Sequence, residues 1–501
     1  MSAEQEAHSI FDTKTVRDIH HEIQEIYLAD RLPWVIGYSG GKDSTATLQL
    51  VWNSLKALNA EQLIKPVFVI SSDTLVETPV IVNYIDRSLA SINAAAKEQW
   101  LPIVADKVMP QIKDTFWVNL LGRGYPAPNT EFRWCTDRMK IQPANRFILD
   151  KVAQFGEVVM VLGARKSESS SRGQIINTRQ LGLMDGRTDK RDEEEKSNFD
   201  YTKVNVRHGR LSRHSSLTRA WVFTPIEDFS TDDVWEYLLQ VDSPWGNDNQ
   251  QLAALYRSAQ GGECPLVIDE STPSCGNSRF GCWVCTVVTK DKSMTNLIDN
   301  GEDWMLPLLQ FRDRLALTQN PDTKGDVREF KRRNGRVKYK KDGGVIWGPY
   351  TMEFRKQMLR DLLETQRIIN TSPKGFGMEL ISVPELHEIR RIWITEERDW
   401  EDSLPVIVKE VLDRELQWVR DDIGLFKPRD KELLEKLCRD KDIPVELVTK
   451  LLEVERQMQG MSRRSSVQNK IRAVFSEDWR TRDQVLNKED NLLGTFTESR
   501  R

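Results

Sequence analysis

Residues 33–45 constrain the fold of this chain more than any other segment. They read PWVIGYSGGKDST, which is an apolar run followed by a glycine-rich turn. Residues 46–58, ATLQLVWNSLKAL, follow directly. The apolar run predicts a buried strand, and the stretch after the turn predicts a helix. Gly40 and Gly41 let the backbone approach an anion closely, because neither residue carries a Cβ atom. The segment therefore predicts a strand, an anion-binding turn and a helix in direct succession.

The polar residues of this turn are those that a phosphate chain requires. The free N–H groups and positive dipole end of the following helix would face the anion. Ser39 and Ser44 add hydroxyl donors, and Lys42 adds a cation. Asp43 would repel a phosphate, so we expect it to orient the loop or to help hold Mg²⁺. The Walker A pattern is absent, and an ordinary glycine-rich turn is the alternative interpretation. We predict an ATP-binding loop made of Ser39, Gly40, Gly41, Lys42, Asp43 and Ser44.

Further strands and helices alternate along the first half of the chain. Residues 66–74 (PVFVISSDT) and 158–164 (VVMVLGA) read as buried strands, while 14–30 and 79–99 read as helices. This alternation predicts an α/β fold with a parallel sheet and crossover helices. Ligands in such folds bind beyond the carboxyl ends of the strands. The segments SGGKDS, SSDT and GARKSES all lie at such ends.

Two of these strand ends supply further candidate ligand contacts. Asp73, with Thr74, ends the second strand where a base or ribose would lie, although a simple strand-end turn is the alternative. The segment 162–172 (LGARKSESSSR) carries four candidate positions, which are Gly163, Arg165, Glu168 and Arg172. Two arginines can clamp a phosphate bidentately, but a solvated charged loop is equally compatible with this composition.

The cysteines suggest a second chemical centre. Four of the six lie within 22 residues in the pattern C-x10-C-x6-C-x2-C, and they are Cys264, Cys275, Cys282 and Cys285. Four thiolates hold either a [4Fe–4S] cluster or a tetrahedral zinc ion. Zinc ribbons have two short CxxC pairs, whereas this pattern has one, so the spacing favours the cluster over zinc. Cys438, in ELLEKLCRD, is predicted to lie in a helix core.

Cys135 has a basic sequence environment. It lies in EFRWCTDRMKIQP between Arg133 and Arg138, with Lys140 nearby. Positive neighbours lower the pKa of a thiol and favour the thiolate, the form that attacks or carries sulfur. A buried structural cysteine beside Trp134 is the alternative. We predict that Cys135 faces the substrate, with the three basic side chains as phosphate or substrate contacts.

The composition limits the class of protein. The chain of 501 residues is 39% hydrophobic and 30% charged, with a net charge of −4. No apolar run is long enough to span a bilayer, and the N-terminus has no signal-peptide pattern, so a cytoplasmic location is expected. The net charge excludes a uniformly basic nucleic-acid binder, so contact with DNA or RNA would need a local patch.

The length predicts more than one domain. We expect an α/β nucleotide-binding domain over residues 1–240, interrupted by a charged insertion at 185–217. A loop-rich four-cysteine region follows over 241–295, and a mostly helical region over 296–501.

The basic stretch, residues 324–341, is the candidate nucleic-acid patch. It holds nine Lys or Arg residues against two acidic residues, with Phe330, Tyr339 and Trp347 in or near it. Basic residues with interleaved aromatic rings suit contact with a phosphate backbone. A solvated charged face is the alternative. The excess charge favours nucleic acid mildly, and no residue pattern for reading a base sequence is apparent.

These motifs resemble those of known families. SGGKDS resembles the signature of the ATP pyrophosphatase, or PP-loop, superfamily, and 162–172 resembles the corresponding region of PAPS-reductase-like enzymes. PWVIGYSGGKDST, VISSDTLVETP, FWVNLLGRGYPAP, FRWCTDRMKIQP, LGARKSES and GCWVC together resemble DndC-type DNA phosphorothioation proteins. The resemblance is dense over residues 20–300 and weaker in the C-terminal third.

The resemblance implies an adenine nucleotide alpha-hydrolase-like fold that splits ATP between its α and β phosphates. It implies replacement of a non-bridging DNA phosphate oxygen by sulfur, within a modification and antiphage defence system. It further implies a [4Fe–4S] cluster on the four clustered cysteines, sulfur from a cysteine desulfurase, and DndD-like and DndE-like partners. A PAPS-reductase-like enzyme, a tRNA-thiolating enzyme and a non-catalytic ATP-binding DNA scaffold are the alternatives.

Overall fold

A computed structural model describes residues 9–168, 210–214, 216–259, 281–418, 428–441, 443–458 and 467–486. Of the predicted site residues, Arg172, Cys264 and Cys275 lie outside these ranges, as does most of the charged insertion. For Glu168 only the backbone, at the end of the turn Lys166–Glu168, is described. None of the helices in the described ranges is long and apolar enough to cross a membrane.

The chain divides into two compact units. The first comprises residues 1–116 and 128–309, and the second comprises residues 117–127 and 310–501. The first unit contains a six-stranded sheet, whose strands are β1 (Trp34–Gly37), β2 (Val67–Ser72), β3 (Ile103–Val108), β4 (Val158–Val161), β5 (Leu211–Arg213) and β6 (Ala220–Phe223).

The order of the strands is β3-β2-β1-β4-β6-β5. All neighbours are parallel except β5 and β6, which pair antiparallel at one edge. The predicted α/β fold with a mostly parallel sheet is thereby confirmed. Because the chain moves from β1 through β2 to β3 on one side and then places β4 on the other side of β1, the connections diverge between β1 and β4.

The helices of the first unit cover both faces of the sheet. They are α1 (Val16–Leu28), α2 (Lys42–Lys56), α3 (Pro79–Glu98), the single turn α4 (Trp134–Thr136), α5 (Gln142–Phe155), α6 (Thr231–Gln240), α7 (Asn249–Ala259) and α8 (Lys292–Asp299). A π-helical turn, Asp137–Ile141, joins α4 to α5. A capping box formed by Ser230 and Asp233 holds the N-terminus of α6.

Alternate residues of each strand enter two different cores. Trp34 and Ile36 of β1 lie in the core that includes α1, α2 and α3, whereas Val35 lies in the core that includes Ile148 of α5. The strands are therefore buried on both sides, as parallel sheets in α/β proteins are. This three-layer arrangement leaves the ends of the strands as the places where loops form a site.

The second unit is mostly helical, as predicted. The boundary at residue 310 lies inside α9 (Leu306–Leu317), and the later helices are α10 (Lys324–Val327), α11 (Met352–Ile369), α12 (Val383–Thr395), α13 (Ser403–Leu412), α14 (Pro428–Arg439), α15 (Val445–Met458), α16 (Val467–Phe475) and α17 (Arg482–Leu486). Between α10 and α11 the chain has little regular structure, apart from a small hairpin closed by a bridge between Tyr339 and Val345.

Residues 117–127 belong to the helical unit although they lie early in the chain. The Trp117 indole donates to the carbonyl of Leu380 at 2.7 Å, and the Trp393 indole donates to the carbonyl of Leu121 at 2.8 Å. The guanidinium of Arg355 donates to the carbonyl of Gly122 at 2.7 Å. The FWVNLLGRGYPAP motif is thus a structural part of the helical unit, a placement that the sequence alone did not suggest.

Candidate active site

The predicted phosphate loop lies where the connections of the sheet diverge. Residues 38–41 follow β1, residues 162–165 follow β4, and these two strands are neighbours in the sheet. In open α/β sheets, the crevice beyond the carboxyl ends of such a strand pair is the usual ligand site. The loops after β1 and β4 therefore occupy the position that the topology favours for binding a nucleotide.

The loop after β1 is held by its own hydroxyl groups. The Oγ atoms of Ser39 and Ser44 are 3.1 Å apart, and the Ser44 Oγ accepts from the Ser39 backbone N–H at 3.2 Å. The Ser44 hydroxyl donates to the carbonyl of Gly41 at 3.0 Å. Gly41 is the N-cap of α2 and has no side chain to satisfy the first N–H groups of that helix. The loop is thus ordered while its helix end stays suited to an anion.

Two glycines are required by close packing around the loop. Gly40 has a φ of +71°, and a Cβ atom there would run into Ile85 of α3. A Cβ atom at Gly163 would lie 2.8 Å from the backbone carbon of Asp43 and 2.9 Å from the nitrogen of Ser44. The loop after β4 therefore packs directly against the start of α2 only because residue 163 is glycine. This contact places the two predicted loops in one site.

Asp43 lies between two buried cations. Its carboxylate accepts from the Lys42 ammonium at 3.0 Å and from Nε of Arg165 at 2.5 Å. Arg165 is only 1% exposed, and its guanidinium also donates to the hydroxyls of Ser167 and Thr231 at 3.0 and 3.2 Å. In this structure Arg165 joins the loop after β4 to α2 and to the start of α6. Asp43 thus contacts both cations, and the role expected for it, orienting the loop or helping to hold Mg²⁺, stays a prediction.

Tyr256 is a contact of the phosphate loop that the sequence did not reveal. Its hydroxyl accepts from the backbone N–H of Lys42 at 3.1 Å, and its ring lies 5.7 Å from the Lys42 ammonium. The side chain is buried and lies in α7, 214 residues after Lys42. No local pattern marks it, because the contact is made only by the tertiary fold. It occupies one of the N–H groups that an anion at this helix end would use.

None of the phosphate-loop contacts given above involves a residue of the loop after β2, residues 73–78. Asp73 pairs with Lys107 of β3 at 3.0 Å, and Asp73 Oδ1 also accepts from the backbone N–H of Leu75 at 2.9 Å. The nucleotide contact predicted for Asp73 thus stays a prediction. Lys107 also pairs with Asp86 at 2.7 Å, and both carboxylates raise the pKa of this lysine against the opposing effect of its partial burial.

The CxxC pair docks on this same loop. The backbone N–H of Trp283 donates to the carbonyl of Val76 at 3.0 Å, and that of Thr78 donates to the carbonyl of Gly281 at 3.2 Å. The Sγ atom of Cys282 lies 3.3 Å from the Thr74 hydroxyl. The strand-like pairing fixes Cys282 beside the end of β2. The CxxC pair and the phosphate loop therefore both lie at the carboxyl edge of the parallel sheet.

Cys135, Cys282 and Cys285 are here called the thiol group, and each of the three side chains is partly exposed. Burial raises the pKa of the Cys135 thiol to about 11, the charge of Cys285 raises it further, and Lys140 acts in the opposite direction. Burial likewise raises the pKa of Cys282, with Glu77 adding to the effect. The lowered pKa that we expected for Cys135 is therefore wrong for this structure. Burial outweighs the basic neighbours.

The basic residues around Cys135 are not equivalent. Arg138 pairs with Asp114 at 2.7 Å. The Lys140 ammonium lies 3.7 Å from the Glu77 carboxylate. Lys140 is also close enough to Cys135 to lower the pKa of that thiol. Arg133 is half-buried. The predicted phosphate or substrate roles of these three residues and of Glu168 and Arg172 stay predictions.

The donor chemistry of the thiol group fits an iron–sulfur cluster in part. Cys282 and Cys285 are held in one turn, with the Cys285 N–H donating to the carbonyl of Cys282 at 3.0 Å. Cys135 interacts electrostatically with Cys285, so it lies near the CxxC pair. Within the described ranges, no three or more His, Cys, Asp and Glu side chains form a group that could hold a metal ion. The other two predicted ligands lie outside those ranges.

Comparison with known families places this site in context. A family model described as the phosphoadenosine phosphosulfate reductase domain matches residues 33–288, about half of the chain. This chain belongs to the phosphoadenosine phosphosulfate reductase domain family. The matched residues include β1, the phosphate loop, β4 and the CxxC pair. A second family model, described as a small protein found in certain Dnd DNA modification systems, matches residues 429–476.

Individual relatives are distant. An uncharacterized protein of Methanocaldococcus jannaschii is 25% identical over 263 residues, which are 52% of this chain and only 38% of that protein. A phosphoadenylyl-sulfate reductase from Candida auris, solved as a phosphate complex, is 12% identical with a TM-score of 0.26, covering 49% of this chain and 94% of that one. The U34-tRNA thiolase NcsA from Methanococcus maripaludis, solved with its [4Fe–4S] cluster, is 12% identical with a TM-score of 0.25, covering 60% and 79%.

Proposed function

We propose that this chain is an ATP pyrophosphatase that adenylates a phosphate oxygen of the DNA backbone, which is then replaced by sulfur. The observation that carries the proposal is the position of the phosphate loop between β1 and β4, with Gly163 packed on the start of α2. Membership of a family named for a sulfonucleotide reductase supports sulfur chemistry on a nucleotide. The match of residues 429–476 to a small Dnd-system protein supports DNA as the acceptor.

In this proposal, the N–H groups at the start of α2 bind the phosphates of ATP together with Ser39, Ser44 and Lys42. A non-bridging oxygen of the DNA phosphodiester attacks the α-phosphorus, and the bond to the β-phosphate breaks. The donors of the loop stabilise the charge on the leaving pyrophosphate. Both carboxylate oxygens of Asp43 are engaged by cations, so we assign Asp43 the positioning of Lys42 and leave Mg²⁺ on the ATP phosphates.

Adenylation converts the DNA oxygen into a good leaving group. A sulfide or persulfide sulfur then attacks the DNA phosphorus, and AMP leaves with that oxygen. If the attacking sulfur is the outer sulfur of a persulfide, a second thiol must afterwards attack the carrier cysteine. The S–S bond to the transferred sulfur then breaks, and the second thiol and the carrier cysteine form a disulfide. Cys135 is the first candidate for carrying the sulfur, and a cysteine desulfurase is the proposed donor. The raised pKa of Cys135 means that the thiol needs a neighbouring cation or a bound group to become a thiolate.

Cys264, Cys275, Cys282 and Cys285 would hold the [4Fe–4S] cluster. When bound, it would supply electrons or relay sulfur. The pairing of Trp283 with Val76 holds one end of this ligand set beside the loop after β2. Cys282 and Cys285 have the short spacing that cluster ligands use. Zinc is the alternative occupant, and the colour of anaerobically purified protein separates the two.

The proposal is tested with anaerobically purified protein, ATP and a defined DNA duplex. We expect pyrophosphate release that DNA stimulates, and phosphorothioate linkages after a cysteine desulfurase and cysteine are added, measured by nuclease digestion and mass spectrometry. Sulfur transfer to tRNA but not DNA would favour the tRNA-thiolating alternative, and reduction of a sulfonucleotide would favour the reductase. ATP binding with no pyrophosphate release under any condition would favour the non-catalytic scaffold.

A further inference from the structure

We propose that residues 428–486, here called the C-terminal module, bind to residues 324–348 of the same chain through an interface like that between two separate proteins. The first observation is the separate family match. Residues 429–476 match a model that describes an independent small protein, whereas residues 33–288 match a different family. A segment that occurs elsewhere as a small protein is expected to fold around contacts of its own.

The C-terminal module has internal packing. Its helix α14 packs against α15, and α15 packs against α16. Cys438 of α14 and Val454 of α15 are buried. The sequence-based prediction that Cys438 lies in a helix core agrees with this position. The module therefore has helix–helix packing of its own.

The interface is built around a tryptophan between two lysines. The Lys331 ammonium lies 5.1 Å from the ring of Trp479, and the Lys450 ammonium lies 5.4 Å from the same ring. Lys331 also pairs with Glu446 at 3.5 Å, and Lys450 pairs with both Glu446 and Glu477. The contacts of Lys331 with Trp479 and Glu446 thus connect the basic stretch to the module, whereas those of Lys450 lie within the module and hold Trp479 and Glu446 in place.

Backbone contacts fix the register of the interface. The backbone N–H of Asp478 donates to the carbonyl of Gly335 at 2.9 Å, and the guanidinium of Arg482 donates to the carbonyl of Gly325 at 2.9 Å. Gly335 has a φ of +72°, and a Cβ atom there would run into the carboxylate of Glu477. The guanidinium of Arg336 donates to the hydroxyl of Ser476 at 3.2 Å. These contacts require a specific fit, beyond a general attraction of opposite charges.

The character of this interface differs from the core of the same unit. α11 and α13 contribute fully buried apolar side chains, including Leu359, Leu362 and Ile407. The contacts of the module named above are polar or aromatic, and the Glu446 side chain is 44% exposed. Polar, partly exposed contacts are typical of interfaces between proteins that fold separately, and they weaken as salt screens the charges. The module should therefore be separable from the rest of the unit.

In this proposal, part of the basic stretch binds the C-terminal module. Lys331 and Arg336 are used by the module, whereas Lys338, Lys340 and Lys341 are exposed on or beside the hairpin. A helical segment that offers acidic side chains beside a tryptophan is the kind of partner that this surface fits. The three exposed lysines are the part of the stretch that stays available to other anions.

The test uses the full chain with a protease site inserted within residues 419–427 and cut after purification. We expect the two pieces to co-elute in size-exclusion chromatography at about 0.1 M salt and to separate at about 1 M salt, where screening is much stronger. Lys331→Glu should raise the dissociation constant about tenfold or more. Lys331→Arg should retain binding, and Lys341→Glu, the same charge change at an exposed lysine, should match the unchanged protein.

Two results would overturn the inference. Separation of the cut pieces at low salt would mean that residues 324–348 do not bind the module. Co-elution at both salt concentrations with no effect of Lys331→Glu would mean that the module is an integral part of the helical core. Trp479→Ala gives a second reading, because it removes the ring between the two lysines and should weaken binding without altering the charge of either piece.

Discussion

The phosphate loop and the CxxC pair of the thiol group lie at the same edge of one sheet, yet different interactions determine the structure and the charge of each. The loop is ordered by its own hydroxyl groups and by Gly163, which packs against the backbone of Asp43 and Ser44. The thiols are only partly exposed, and burial raises the pKa of both Cys135 and Cys282. The phosphate site is thus shaped by hydrogen bonds and close packing within the protein, whereas thiolates in a region of low solvent exposure need a cationic centre to stabilise them.

The largest expected effect concerns the thiol group. Cys282→Ser and Cys285→Ser should abolish the visible absorbance of the anaerobically purified protein and abolish sulfur transfer, because a cluster loses a ligand. Pyrophosphate release should change little, since the phosphate loop is ordered independently. Cys438→Ser is the matched control and should keep the absorbance. Equal loss of pyrophosphate release in both variants would show that the two regions are not independent.

The reverse experiment alters the loop alone. Ser44→Ala removes the hydroxyl that joins Ser39 to Gly41, and pyrophosphate release should fall by about 10²–10³-fold, the usual cost of one lost donor to a developing charge. The visible absorbance should stay unchanged. Ser54→Ala is the matched control, because Ser54 lies in the same helix, is also buried and donates to the carbonyl of Leu50. Similar losses in both variants would point to helix instability.

A smaller effect is expected from the packing between the loops after β1 and β4. Gly163→Ala forces a Cβ atom to within 2.8 Å of the Asp43 backbone, so the loops must move apart at a cost of about 1–3 kcal/mol. We expect a melting temperature lower by several degrees and pyrophosphate release reduced about tenfold or more. Gly344→Ala, at an exposed glycine, should change neither measurement. A fully active Gly163→Ala protein would contradict the proposed contact between the loops.

The smallest effect is expected at Tyr256. Tyr256→Phe frees the Lys42 N–H that the hydroxyl occupies, so the group becomes available to a phosphate. The KM for ATP should fall about two- to tenfold, which corresponds to one hydrogen bond of about 0.5–1.5 kcal/mol, with kcat nearly constant. Steady-state kinetics of pyrophosphate release measures both constants. A higher KM would instead indicate that the hydroxyl contacts the nucleotide.

The sequence predicted those parts of the molecule that local patterns encode. Apolar runs and glycine turns predicted the strand, turn and helix around Gly40 and the apolar strands β2 and β4. The edge strand β3 was not identified, because Asp106 and Lys107 interrupt the apolar run that marks β1 and β4. The antiparallel pair β5 and β6 was also not identified as such, since β5 has only three residues.

The limits at the site have one physical cause, which is that burial and long-range contact are not visible in a local pattern. Basic neighbours suggested a reactive Cys135, but burial determines its pKa. The phosphate contact expected for Arg165 stays a prediction, and the contacts of its guanidinium with Asp43, Ser167 and Thr231 were not visible in the sequence. Tyr256 is 214 residues from the N–H that it accepts from, so only the fold brings them together.

Product analysis of ATP turnover tests the central claim most directly. Anaerobically purified protein is incubated with ATP labelled at the α-phosphate, with and without duplex DNA, and the nucleotides are separated by chromatography. The account predicts AMP and an equal amount of pyrophosphate, stimulated by DNA and lost in Ser44→Ala. Formation of ADP and inorganic phosphate, or turnover that Ser44→Ala leaves unchanged, would contradict cleavage between the α and β phosphates at this loop.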